Sequence, residues 1–478
     1  MTEPHGKLPP WGVASLPEPP PFTLRNVLRT VGPGVIGLGV AIGGGEWLLG
    51  PAVVVTQGPG LLWLVVVAVL LQANLNLEMG RYTLYTGEPI LVGFMRTWPG
   101  PGFWGWAYAA LSFLQLGWPA IALSAATAAA ALFLGRMPSG EDSGLVIALG
   151  YVTFAACFFV ISAGKKVERT VELAMRFMMV WVFSFLFLVD VTTVSGANWT
   201  RIFQGLVSFG NVPAGSDWNL LAAFAAYSGM GGMANAFITN WMRDKGYAMG
   251  ATVGYIPSAF APGGRLSATG NVFVPTPQSL SVWRRWWAFF SVDQWAVFAL
   301  GSIGGMTLTT VMALQYVPPG TEVGGWSIVN VQAQGLAAVH GPVFWFLALI
   351  AGFWVLFSTQ LGFVDGIPRS ITDMLWTGSS TVRRWRGGDV RAIYYSVLIL
   401  YIAWGCISLH LAQPLTLLIL AANIGGAIFV LLSLHTLVVN RRFLPREFRP
   451  PLWREAGLLL CTLFYGTFAV VSLQAVWR

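Results

Sequence analysis

PGVIGLGVAIGGGEWLLGP, residues 33–51, is apolar enough to cross a bilayer, yet it carries three consecutive glycines, Gly43-Gly44-Gly45, followed at once by Glu46. A carboxylate at the centre of a membrane helix costs roughly 2.5 to 3.5 kcal/mol on insertion scales, so it needs a compensating role or partner. Glycines are poor helix formers, and a break at membrane depth frees backbone carbonyls only where it lines a cavity. Glu46 and freed carbonyls near Gly43 together describe a cation site. The plainer reading is that the glycines let two helices pack closely.

The rest of the chain supports a membrane setting. Of its 478 residues 55% are hydrophobic and 10% charged, which leaves a water-soluble fold too little polar surface. Apolar runs of about 20 residues recur at 32–55, 60–83, 103–134, 143–163, 172–195, 218–242, 290–316, 342–373, 391–411, 414–438 and 453–476. The expected fold class is therefore an all-α polytopic membrane protein with about eleven transmembrane helices. A net charge of +8 does not point to nucleic acid, because the basic residues sit in short loops between apolar runs. With residues 1–29 inside, only Arg136, Arg201 and Arg478 among the lysines and arginines fall outside, which predicts a multi-pass cell-membrane protein with a cytoplasmic N-terminus and an external C-terminus. The Pro-rich segment 1–29 has no signal-peptide core and reads as a partly disordered cytoplasmic tail.

A second interruption, Ser228-Gly229-Met230-Gly231-Gly232-Met233-Ala234-Asn235, falls in the sixth run. Breaks in runs one and six are five helices apart, as in an inverted repeat of five plus five helices with its site near the midplane. One transmembrane domain, 30–476, then divides into repeats at 30–195 and 218–438 and an additional helix at 453–476. Gly44, Gly45, Gly231 and Gly232 are the expected helix breaks, and Gly43, Glu46, Met230, Met233 and Asn235 the expected cation ligands. Thioether sulfur beside oxygen favours a transition metal over magnesium or calcium, although a methionine in a membrane helix is more often packing.

Other polar residues are weaker signals. Glu78 and Arg81, three apart, read as a structural ion pair. Asp365, Arg369 and Asp373 step by four along the eighth run, which predicts an interfacial salt-bridge ladder on one helix face and a possible inner gate. Gln360 and Asn423 lie deeper, either bonding between helices or lining a pathway. The segment 246–289, with Arg265 and Trp283-Arg284-Arg285-Trp286-Trp287, reads as an interfacial anchor. Cys157, Cys406 and Cys461 have no paired spacing, and His5, His340, His410 and His435 no ligand-like spacing. No Cys-His, Ser-His-Asp or HExxH arrangement suggests an enzyme.

Several stretches follow, in order and spacing, the opening helices of a known family: Gly32-Pro33-Gly34, the glycine-rich segment with Trp47, Leu61-Leu62-Trp63, Gln72, Gly80 and Thr86-Gly87, and later Lys165-Lys166-Val167-Glu168. Over residues 24–440 the chain resembles the Nramp family of divalent-metal transporters, which has the LeuT-type fold. That resemblance implies a secondary transporter working by alternating access, with no resident cofactor and a divalent metal ion as substrate. Where the family has Asp-Pro-Gly-Asn this chain has Gly43-Gly44-Gly45-Glu46, so Glu46 takes the asparagine position. Met233 matches the family's metal-binding methionine, Met230 replaces an alanine, and Ala234-Asn235 replace a Pro-His pair. Asn423 matches a tenth-helix glutamine. The third run carries no Asp or Glu where family members use acids for proton movement, so the usual proton coupling is not expected. Two alternatives remain open: an organic cation or amine as substrate on the same fold, and a sensor that keeps the fold without transporting. The expected partners are a cation and the lipid bilayer, with the oligomeric state open.

Overall fold

Proline sets the start of five spans, at Pro33, Pro59, Pro101, Pro277 and Pro342, where its missing N–H costs no helical hydrogen bond. In the computed structural model, which describes residues 5–261, 266–321, 330–411 and 414–476, ten helices are long and apolar enough to cross a membrane. The eleventh span is the expected sixth. It is divided into Trp218–Tyr227 and Ala234–Lys245, each too short to cross alone. Arg265 and Arg478 lie outside the described residues.

A backbone contact checks the count. Gly12–Val13 pairs in parallel with Asn271–Val272, in the connection between the sixth and seventh spans. A pair on one side of a membrane needs an even number of crossings between its members. Counting the divided sixth span gives six.

The same contact corrects the expected disorder of the tail. From His5 onward the tail is laid along the protein: Arg96 donates to the His5 and Pro9 carbonyls at 2.8 and 3.0 Å, and the Trp11 ring lies 4.1 Å from its guanidinium. Further on, Trp286 donates to the Pro17 carbonyl and Arg285 pairs with Glu18. Arg96 is itself held by Glu88 in a buried bidentate pair at 2.5 and 2.8 Å. A tail with few apolar residues is ordered because a guanidinium fixed elsewhere satisfies its backbone.

The tryptophan cluster is also not a lipid anchor. The seventh span begins at Pro277, well before the expected 290, so Trp283, Trp286 and Trp287 lie on its helical extension. Trp283 and Trp286 are buried, and the Arg81 guanidinium sits 4.1 Å from the Trp287 ring. Arg81 forms the expected pair with Glu78, at 2.7 and 3.0 Å.

The third span holds an interruption the sequence reading did not include. Helix Pro101–Leu116 stops at Gly117-Trp118-Pro119 and resumes as Ala120–Leu134, because Pro119 can neither donate a hydrogen bond nor sit inside a helix without a clash. The Tyr401 hydroxyl and Trp404 indole of the ninth span donate to the Leu116 and Gly117 carbonyls, at 2.7 and 2.8 Å.

Candidate cation site

The interruption of the first span is milder than a break. α-Helix runs to Ala41, Ile42–Leu49 is wound as π-helix, and α-helix resumes at Gly50. No residue from 42 to 49 lacks an N–H, so the wider winding keeps donors occupied, as in the Gly50 N–H bonded to the Gly45 carbonyl. Gly44 and Gly45 thus change the helical register without opening the helix.

What the glycines do instead is let the sixth span come close. A Cβ on Gly45 would stand 1.8 Å from the Tyr227 carbonyl oxygen. One on Gly44 would meet the Tyr227 ring at 2.9 Å, and one on Gly43 the Thr359 hydroxyl at 2.3 Å. Close packing, the plainer of the two readings, describes these positions. The Gly43 N–H donates to Thr359 Oγ1 at 3.1 Å, and that hydroxyl lies 2.9 Å from the Val40 carbonyl.

The sixth span is fully broken at the expected place. Gly229, Gly231 and Gly232 take φ of 105°, 76° and 49°, values that exclude most side chains. Two glutamines replace the lost helical hydrogen bonds. Gln72 of the second span donates to the Ser228 carbonyl at 2.7 Å and accepts from the Met230 N–H at 3.0 Å. Gln115 of the third span does the same one step along, donating to the Gly231 carbonyl at 3.2 Å and accepting from the Met233 N–H at 2.9 Å. The tenth span closes the other side, with Gly425 placed so that a Cβ on Gly232 would meet its Cα at 2.7 Å.

Glu46 faces this break. It is fully buried, its carboxylate lies against the Gly229 N–H, and no side chain among the described residues pairs with either oxygen. Its own carbonyl is anchored on the seventh span by the Thr309 hydroxyl at 2.5 Å. The other expected ligands divide. Asn235 lies just past the break, with its carboxamide oxygen unpartnered and its NH2 group 3.3 Å from the Gly232 carbonyl. Asn423 also has an unpartnered oxygen, and both amide atoms of buried Gln360 are unpartnered. Met233 is buried at the start of the second half-helix. Met230 is turned away: its sulfur packs where a Cβ on Gly37 would meet it at 3.1 Å, about two and a half helical turns before Glu46. Among the described residues no group of three or more His, Cys, Asp and Glu is arranged to hold a metal ion.

The expected ladder on the eighth span is buried rather than interfacial. Arg369 grips Asp365 through two bonds, at 2.7 and 3.1 Å, and reaches across to Asp244 of the sixth span. Asp373 pairs with Arg243 of the sixth span instead of Arg369 and accepts from Asn240. Trp241 and Tyr394 complete the shell around Asp365. The cluster locks the second half of the sixth span onto the eighth, away from the cation-site residues. Gln115 was absent from the expected site, although an amide inside an apolar run was a readable signal.

The sequence matches no protein-family model and no curated protein. Solved structures do match. Two variants of the manganese transporter of Eremococcus coleocola superpose with a TM-score of 0.65 at 14% identity, over 97% of this chain and 89% of theirs. The chain has the fold of this transporter. The same transporter in complex with an aromatic bis-isothiourea compound gives a TM-score of 0.60 at 13% identity, over 97% and 89% of the two chains. The manganese-transporter fold makes the chain a polytopic all-α membrane protein, and the expected likeness to the metal-transporter architecture holds across nearly its full length.

Proposed function

We propose that the chain is a secondary transporter that carries a divalent metal cation through the membrane by alternating access, with Glu46 as the charged ligand. The observation that carries this reading is a sealed carboxylate, with no cationic side chain against it among the described residues, beside a true break in the sixth span. An unpaired charge in such a place is costly unless a cation neutralises it. Oxygen donors from Asn235, Gln360 and Asn423 are free to join it, with sulfur from Met233. The shared architecture with a manganese transporter supports the substrate class. The absence of any Asp or Glu from the third span, where buried Gln115 instead bonds the break, supports transport without the usual proton coupling. The basic loops support a cytoplasmic N-terminus and an external C-terminus.

A second reading is favoured by one feature. A lone carboxylate with Met230 turned toward Gly37 balances a single positive charge, as an organic amine would carry. Uptake by liposomes holding the purified protein separates the readings. The expected result is saturable uptake of Mn²⁺ or Fe²⁺ but not of Mg²⁺ or Ca²⁺, lost in Glu46→Gln while the variant keeps its helical spectrum, with internal pH unchanged. Uptake of a labelled amine without metal uptake moves the assignment to the second reading. Flux of neither leaves a fold without transport.

A further inference from the structure

Away from the cation site, the inner ends of the third and eighth spans part to leave an apolar groove of about 250 Å³. Gly102, Gly105 and Trp106 line one wall, and Ile371, Leu375 and Gly378 the other. The glycines leave it empty: a Cβ on Gly102 would meet nothing within 4 Å, and one on Gly105 only the tip of Met95 at 3.9 Å. Trp98 and Trp106, 76% and 74% exposed, stand beside it as tryptophans do at the membrane–water boundary.

The groove ends at Ser379, which caps the short helix Ser380–Arg384 by accepting from the Val382 N–H. One turn on come Arg383, Arg384 and Arg386. None of the three meets a carboxylate among the described residues, and Asp389 nearby is taken by Arg391. Arg383 keeps one bond, to the Trp376 carbonyl, and Arg384 one to the Ser380 carbonyl. Exposed Trp385 lies under the Arg386 guanidinium.

An apolar slot sized for hydrocarbon, ending at Ser379 just before a short segment with three guanidiniums that meet no carboxylate among the described residues, matches one ligand end to end. We infer that the groove between the third and eighth spans holds one acyl chain of an anionic phospholipid, whose headgroup phosphate is bound by Arg383, Arg384 and Arg386. Basic clusters at the inner ends of membrane helices select anionic headgroups because each arginine adds attraction that a zwitterionic lipid does not return.

The test is native mass spectrometry of the full chain released from nanodiscs made of phosphatidylglycerol and phosphatidylcholine in equal parts. One phosphatidylglycerol is expected to stay bound, well in excess of phosphatidylcholine. The combined variant R383Q, R384Q and R386Q should lower that retention about tenfold or more. G105L, which fills the slot with carbon, should release the lipid while leaving the arginines in place. G102L, on the same wall of the groove and with no atom within 4 Å of its Cβ, gives the same test should G105L not fold. Equal retention of both lipids by the unaltered chain overturns the inference, as does full phosphatidylglycerol retention in the arginine variant.

Discussion

Gly45→Ala distinguishes close packing from helix opening as the purpose of the glycine run. A methyl at this position falls 1.8 Å from the Tyr227 carbonyl oxygen and 2.6 Å from its carbon, both backbone atoms that no rotamer change can move. The first and sixth spans must then separate by more than about 1 Å, which exceeds ordinary overpacking and places the cost at or above about 3 kcal/mol. Gly44→Ala is the control. Its methyl meets the Tyr227 ring at 2.9 Å, and a ring can tilt, so the cost is about 1 kcal/mol. Alanine also forms helix better than glycine by about 1 kcal/mol, which offsets part of the cost at both positions. The assay is the thermal unfolding of both variants in one detergent, followed by circular dichroism. A large drop for Gly45→Ala and a small one for Gly44→Ala is expected. Equal drops, or a stabilised Gly45→Ala, refute the close-packing argument.

Gln115→Leu removes the amide that bonds Gly231 and Met233 and leaves two buried backbone groups unsatisfied, a loss of about 2 to 6 kcal/mol measurable as lowered unfolding temperature. Arg369→Met strips the shared partner from buried Asp365 and Asp244, and should destabilise by about 3 to 5 kcal/mol in the same assay; a neutral result dismisses the cluster as a lock. Glu88 lies outside the spans; burial would raise its pKa, but Arg96, with help from Tyr82 and the Gly270 N–H, holds it below the usual value. Its contribution is therefore present above the unfolded carboxylate value of about 4.3 and fades as pH falls through the lower folded value. Unfolding midpoints below about pH 4 should fall faster for the unaltered chain than for Glu88→Gln, and parallel curves reject the assignment.

Spans were legible because length and hydropathy alone specify them, and the sixth-span break because glycine is the only residue that tolerates three positive φ values so close together. The winding at Ile42–Leu49 was not legible. Glycine runs permit a break and a π-turn alike, and the choice rests on Tyr227, about 180 residues away. Spacing by four put Asp365, Arg369 and Asp373 on one face, yet spacing on one helix says nothing of Arg243 and Asp244 on another, which decide whether the face is buried. Glu46 was legible as a buried carboxylate beside a glycine run, whereas the turn of Met230 toward Gly37 was not, since a side chain's direction depends on backbone geometry inside the break. Gln115 was legible as an amide in an apolar run but not as part of the site, because a neutral amide carries no sign of which backbone it bonds, and its partners Gly231 and Met233 lie on another span.

The strand formed by the tail has a temporal meaning. Gly12 is made about 260 residues before its partner Asn271, which at ribosomal speeds is a wait of roughly 10 to 50 s. During that interval six spans enter the membrane with the strand unpaired; Arg96 can hold His5, Pro9 and Trp11 once the second span is made, but the pairing with the sixth-to-seventh connection can close only after the broken span has crossed. A protease acting on the nascent chain should therefore cut within residues 12–18 until that moment and be shut out afterwards, which turns the tail into a clock hand for insertion.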